Sequence, residues 1–323
     1  MPGGPAITLD DVLAARETIG GRVHRTPTLS SATLSQRAGV DVRLKAELFQ
    51  RTGSFKPRGV LTKLASLSEE EKRRGVIAIS AGNHAQALAF AAAQQGIDSL
   101  VVMWETASPM KVAAARGYGA TVDTVAPDIP AAFVRLDELE RETGRTLVHP
   151  YDDPLVMAGQ GTVGVEILED VPEADVVLVP VGGGGLVSGI AAAVKGMKPD
   201  VRVVAVEPEL SPALHESLKA GEAVTVQAQS LADGLNGPYA GGNCVATCLA
   251  LGVESVLVTE DEIVEAFRFL YGRAKLAVEA AGAATTAALL ARKAPLDGAE
   301  TVVAVVSGGN VAPETASAIL ARP

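Results

Sequence analysis

Short runs of Val and Ile alternate with longer Ala-rich stretches along most of this chain. Val76–Ile79 follows Arg74-Gly75 and leads into an Ala, Gln and Leu segment that closes at Gln95-Gly96. Residues 99–103 read as the next strand, 109–118 as a helix, 121–125 as a strand and 129–143 as a helix. The run 175–181 is almost wholly apolar, as a strand covered on both faces must be. A helix from about 186 to 197, a strand at 201–206 and a second buried-strand run at 301–306 extend the pattern. Such alternation predicts an α/β fold, a largely parallel sheet with helices on both faces. Pro, Gly, Asn and Asp mark loops at 126–128 and 236–243. No fixed-period repeat or low-complexity linker divides the chain.

The 323 residues, 48% of them apolar, suffice for one large or two moderate domains. A net charge of −10 makes duplex nucleic acid a poor partner. The longest basic run, Lys72-Arg73-Arg74 before Gly75, reads as a solvated helix end. Pro2, Pro5, Asp10 and Asp11 interrupt the first apolar residues, so the start does not read as a secretory leader. No apolar run is long enough to span a bilayer. Cys244 and Cys248 are the only cysteines and no second ligand pair accompanies them, which predicts reduced thiols in a cytoplasmic protein.

Four segments carry candidate chemistry. In the first, Gly53 and Ser54 lead through Phe55 and Lys56 into Pro57-Arg58-Gly59. A lysine at a helix start meets positive dipole and amide groups that disfavour its charged form, and a covered lysine amine can condense with an aldehyde. The second, Ser80-Ala81-Gly82-Asn83-His84, sits between a strand and an Ala-rich helix, where amides suit a carboxylate or where Ser80 and Asn83 serve as helix caps. The third is Gly182-Gly183-Gly184-Gly185 between a buried strand and a helix. Four glycines are entropically costly for a bare turn and form a backbone cradle for phosphate. No Gly-Lys-Ser/Thr ending makes it a P-loop. A dinucleotide fingerprint needs a sixth-place glycine, where Val187 or Ser188 stands, although Glu207 would suit a ribose, so a non-catalytic nucleotide-binding α/β protein stays as a remote alternative. The fourth is Ser307-Gly308-Gly309-Asn310, again after a buried strand, where Ser307 is placed to meet a ring nitrogen or to cap a turn. His149 to Asp153 with 158–162 either line a cleft or cap and pack a helix. His24 and His215 read as surface or structural residues. Glu279, in an Ala-rich stretch, is either solvent-facing or functional.

In this order the four segments resemble the fold-type II pyridoxal-phosphate (PLP) enzymes, in particular the threonine dehydratase and serine racemase branch. Lys56-Pro57-Arg58-Gly59 and Asn83-His84 separate the chain from the cysteine synthase relatives, and Asp152-Asp153-Pro154 with the Ala-Gly-Gln-Gly-Thr run at 158–162 also resembles threonine dehydratases. The resemblance implies a tryptophan synthase β-like fold of two open parallel-sheet α/β domains. Residues 1–50 with 151–323 would form the large PLP-binding domain and 51–150 a small one. It implies that Lys56 holds PLP as an internal aldimine, with Phe55 beside it. Gly182, Gly183, Gly184 and Gly185 would bind the phosphate, Asn83 the ring hydroxyl and Ser307 the pyridine nitrogen. Ser80, Ala81, Gly82, Asn83 and His84 would hold the substrate carboxylate, with Ser80 and Lys56 the catalytic side chains. A serine hydroxyl cannot keep the ring nitrogen protonated as a carboxylate does, which favours prompt β-elimination.

The implied reaction is dehydration and deamination of L-threonine and/or L-serine to a 2-oxo acid and ammonia, by a homodimer or homotetramer; a serine racemase or 3-hydroxyaspartate dehydratase is the alternative. Ala81 stands where serine racemases carry a serine, which demotes racemisation. Glu207 matches the family's cation-site carboxylate, but Ala213 replaces its acidic partner, leaving a monovalent or divalent cation open. Glu279-Ala280-Ala281 replaces the usual Glu-Pro-Ser. The chain ends soon after the last glycine turn, so the resemblance implies no isoleucine-inhibited regulatory domain.

Overall fold

The computed structural model describes residues 4–322, so Pro2 lies outside the described residues. Among the described residues ten strands form two sheets: β1 (Thr28–Ser30), β2 (Asp41–Ala46), β3 (Val76–Ile79), β4 (Ser99–Trp104), β5 (Thr121–Ala126), β6 (Thr146–Leu147), β7 (Val176–Pro180), β8 (Arg202–Pro208), β9 (Glu254–Val258) and β10 (Thr301–Val306). The first half carries helices α1 (Leu9–Ile19), α2 (Ala32–Ala38), α3 (Pro57–Ala65), α4 (Glu69–Arg74), α5 (Asn83–Gln94), α6 (Pro109–Gly117) and α7 (Ile129–Thr143). The second carries α8 (Pro154–Asp170), α9 (Gly185–Met197), α10 (Ala213–Ala220), α11 (Gly242–Ala250), α12 (Glu260–Phe269), α13 (Ala280–Leu290) and α14 (Pro313–Leu320).

The larger sheet runs β1-β2-β10-β7-β8-β9, with only β1 antiparallel to its neighbour. The smaller runs β5-β4-β3-β6 and is wholly parallel. The period of two along a strand explains why the buried runs are continuously apolar. On β10, Val302, Ala304 and Val306 pack with α12, α13 and α14, while Val303 and Val305 face the layer that includes α8 and α9. On the smaller sheet, Val76 and Ala78 face α3 and α5, and Ile77 faces α7. The basic run closes α4, whose first turn is Glu69-Glu70-Glu71, so both ends complement the helix dipole in solvent.

Two devices fix α3 against the larger sheet. Glycines let α3, α8 and α9 approach to backbone contact: a Cβ on Gly159 would lie 2.5 Å from the Arg58 carbonyl oxygen, and one on Gly189 2.2 Å from that of Met157. The second device is a buried ion network. Arg58, wholly buried, donates to both Glu47 oxygens (2.8 and 2.9 Å) and both Glu166 oxygens (2.7 and 3.0 Å). Lys45 on β2, equally buried, pairs with Glu166 at 2.8 Å. Buried charge is tolerable only when paired and hydrogen-bonded, as each of these is.

Candidate active site

Three of the four sequence segments leave the carboxyl ends of parallel strands, where α/β folds place ligands. Ser80 follows β3, Gly182 follows β7, and Ser307 follows β10, which lies beside β7. The fourth is joined to them by backbone. The Phe55 N–H donates to the Ser307 carbonyl (3.2 Å), and Ser54 bridges Gly308. Lys56 therefore stands at the head of α3 beside the β10 loop, with Pro57 opening the helix.

The Lys56 amine donates to the Pro150 carbonyl (2.7 Å) and lies 5.2 Å from the centre of the Phe55 ring. Burial pushes its pKa down to about 8, against the opposing pull of Cys244 and Glu279. Two histidines near it are kept neutral. Burial, then the charge of Lys56, push His84 down to about 3. Its Nε2–H donates to the Val148 carbonyl (2.8 Å). His149 is lowered by burial; its Nδ1 accepts from the Tyr151 and Asp152 amides (3.3 and 2.8 Å), so its proton sits on Nε2.

The segment His149 to Asp153, expected either to line a cleft or to cap a helix, caps α8 and also meets both Lys56 and the glycine turn. Pro150 receives Lys56. Asp153 caps α8 through the Leu155 and Val156 amides, and the Asp152 carboxylate receives the Gly242 and Asn243 amides at the head of α11 (3.0 and 2.9 Å). The loop expected at 236–243 therefore ends two residues early, because its last two residues open that helix. Tyr151 covers the glycine turn. A Cβ on Gly183 would sit 2.3 Å from the Tyr151 ring, and one on Gly185 2.9 Å from the Tyr151 Cα. Gly184 adopts φ +96° and would also meet Cys244, so a side chain there is both strained and obstructed.

The amides of Gly182 to Gly185 have no acceptor among the described residues, and those at 185 and beyond are the open N–H groups of α9. Free amides on a glycine turn at a helix start are groups that can receive an anion such as a phosphate. The desolvated Lys56 amine bonds the Pro150 carbonyl, and the next residue in the chain, Tyr151, lies on that turn. Together they suit a phosphorylated aldehyde, and the residues present fit pyridoxal phosphate.

Asn83 begins α5. Its Nδ2 donates to Glu279 (2.8 Å), and its Oδ1 accepts from Asn310 Nδ2 (2.7 Å). Glu279 is 6% exposed, which settles the earlier choice against a solvent-facing side chain. Burial, then the Asp233 charge, push its pKa up to about 7. Ser307 is buried; Ser80, Ala81 and Gly82 are half-buried, and Ser80 Oγ accepts from the Gly82 amide (3.1 Å). Tyr239, which packs on Tyr151, and Cys244, which meets the glycine turn, have no local sequence signal; only their place in space reveals them.

Glu207 lies apart. Its buried carboxylate accepts from the Leu214 and His215 amides (2.8 and 2.7 Å), and burial pushes it up to about 8. Both oxygens are thus engaged at the head of α10. Among the described residues no cluster of three or more His, Cys, Asp or Glu is arranged for a metal. His24 is exposed and the His215 ring bonds Ser255 Oγ, both as expected. Cys244 and Cys248 are free and buried. Among the described residues no helix is long and apolar enough to cross a membrane.

Comparison with known proteins agrees with this chemistry. An L-threonine ammonia-lyase of Thermotoga maritima is 43% identical over 306 residues, covering 94% of this chain and 76% of that protein. A catabolic L-threonine dehydratase of Staphylococcus aureus is 43% identical over 309 residues, 94% of this chain and 89% of its own. Among solved structures, maize serine racemase superposes with a TM-score of 0.92 at 34% identity, covering 96% of this chain and 95% of its own. The processed form of threonine deaminase isoform 2 from Solanum lycopersicum gives a TM-score of 0.89 at 32% identity, covering 98% of this chain and 92% of its own. The family model described as pyridoxal-phosphate dependent enzyme matches residues 19–308, and the chain belongs to that family.

Proposed function

We propose that this protein is a PLP-dependent ammonia-lyase that removes water and ammonia from L-threonine and/or L-serine, leaving the 2-oxo acid. The observation that carries the reading is the pairing of the Lys56 amine with the four-glycine cradle through the single segment Pro150-Tyr151. Lys56 would hold the cofactor's aldehyde carbon, Gly182 to Gly185 its phosphate, Asn83 its ring hydroxyl and Ser307 its ring nitrogen, with Phe55 alongside. When bound, the cofactor supplies an electron sink for the pair released from the substrate's Cα–H bond.

The chain's own groups do the rest. With a pKa of about 8, roughly one Lys56 in ten is neutral at pH 7, against fewer than one in a thousand for an ordinary lysine, so the amine is ready to take the α-proton. The open turn of α5, with Ser80 and the amides of Gly82, Asn83 and His84, would seat the substrate carboxylate beside Ala81. Two neutral histidines add no positive charge that would compete for it. Ala81 has no proton to deliver to the opposite face of Cα, which favours elimination over racemisation. The reading includes a homodimer or homotetramer working in the cytoplasm, and a division near residues 50 and 150 supported by the strand content of the two sheets.

The test is release of 2-oxobutanoate from L-threonine and pyruvate from L-serine by PLP-loaded protein, with D-serine measured in parallel. The reading expects 2-oxo acid as the main product and its loss in Lys56→Ala. D-serine as the main product, or undiminished 2-oxo acid from Lys56→Ala, overturns it.

A further inference from the structure

A terminal amide can sit either way round, and the two orientations exchange a donor for an acceptor. For Asn83 that choice decides what the side chain offers the cofactor ring. Its neighbours remove the choice. Asn310 Nδ2 donates to the Thr52 carbonyl (2.7 Å), a group that can only accept, and this fixes which end of Asn310 is the NH2. The same NH2 donates to Asn83 Oδ1 (2.7 Å), so the Asn83 NH2 faces away from Asn310. There it donates to Glu279 Oε1 (2.8 Å). Reversing Asn83 would set its oxygen against a carboxylate and its NH2 against another NH2.

Both ends of this relay are held rigidly. The Glu279 N–H donates to the Gly308 carbonyl (3.1 Å), and a Cβ on Gly308 would lie 2.5 Å from Glu279 Oε1. A Cβ on Gly53 would lie 2.5 Å from Asn310 Oδ1. The relay spends one Asn83 N–H on Glu279 and leaves the second without a partner among the described residues.

We propose that Glu279 and Asn310 are positioning residues that lock the Asn83 amide so that it presents an N–H, never a carbonyl, to the cofactor's ring hydroxyl. This rests on the PLP reading above. It gives a task to a buried glutamate outside the usual Glu-Pro-Ser context and to the last residue of Ser307-Gly308-Gly309-Asn310. An N–H at that place stabilises the ring oxygen as an anion, and so favours the yellow form of the bound cofactor over the colourless near-ultraviolet form.

The test compares holoenzyme with Glu279→Gln and Asn310→Asp, both nearly isosteric. The readouts are the visible spectrum across pH and the rate of cofactor release to an apo-acceptor, with circular dichroism confirming the fold. Asn310→Asp turns the donor into an acceptor, and is expected to move the yellow-to-colourless midpoint by a pH unit or more and to speed release about tenfold. Glu279→Gln keeps one acceptor of two, and is expected to move both readouts in the same direction by less. Glu279→Asp, which retains the carboxylate, is expected to recover part of the wild-type spectrum. If Asn310→Asp does not fold, the two Glu279 variants carry the test. Yellow wild type with folded variants of unchanged spectrum and release overturns this proposal alone. A wild type that stays colourless with PLP removes the underlying reading and this proposal together.

Discussion

A methyl group at Gly183 tests whether the glycine turn is a working cradle or an incidental loop. The added carbon would lie 2.3 Å from Cγ and Cδ1 of the Tyr151 ring and 2.5 Å from Cδ2. Carbon atoms need about 3.5–4 Å, so ring or turn must retreat by more than an ångström. The ring has little room, because His149 packs edge-on against it at 4.7 Å and Tyr239 at 5.8 Å. Overpacking of this kind costs about 1–3 kcal/mol. If the turn gives way, its amides are displaced, and the same energy appears as a roughly 5- to 150-fold rise in the Kd for PLP. Absorbance titration of cofactor-stripped Gly183→Ala measures it. Gly117→Ala is the control, since nothing lies within 4 Å of a Cβ there. Adding Tyr151→Ala removes the obstructing ring, and should bring Gly183→Ala back to the affinity of Tyr151→Ala alone. Wild-type affinity in Gly183→Ala, or no relief from the second substitution, would refute the reasoning.

Replacing Arg58 by Met strands the buried Glu47 carboxylate and leaves Glu166 with Lys45 alone, and should cost about 3–5 kcal/mol in denaturant unfolding; a loss below about 1 kcal/mol would show that the network does not hold α3 in place. His84 titrates near 3 when folded and near 6.5 when unfolded, so between those values the unfolded chain binds the extra proton and the contribution of His84 to stability falls as pH falls. Relative to His84→Gln, the wild type should lose about 1.4 kcal/mol per pH unit below 6.5, and parallel stability curves for the two proteins would contradict a neutral buried His84.

The strands most legible in the sequence are those buried on both faces. The runs at 76–79 and 301–306 are unbroken Val, Ile, Ala and Thr, and they fold as β3 and β10. The segment Asp41–Ala46 escaped because its polar residues Arg43 and Lys45 hide its place beside β10. Lys45 is buried only because Glu166 and Asp170, more than a hundred residues on, receive its charge. The same long reach hid the start of α11, whose cap is the side chain of Asp152 rather than a neighbour in sequence. Glu279 could not be placed by periodicity, since what decides its burial is Asn83, 196 residues away. The segments that bear the chemistry were legible for a different reason. Glycine turns and a helix-opening lysine are local features, and each follows a strand or opens a helix that is itself readable. What joins them, above all the Pro150-Tyr151 contact with both Lys56 and Gly183, is tertiary and has no local signature.

Borohydride reduction of the PLP-loaded protein, followed by proteolysis and mass spectrometry, bears most directly on the chemistry assigned to this fold. A single phosphopyridoxyl group on the peptide containing Lys56, with bleaching of the yellow band, is the expected result. Label on another lysine, or none on a protein that still releases 2-oxo acid from L-threonine, would contradict it.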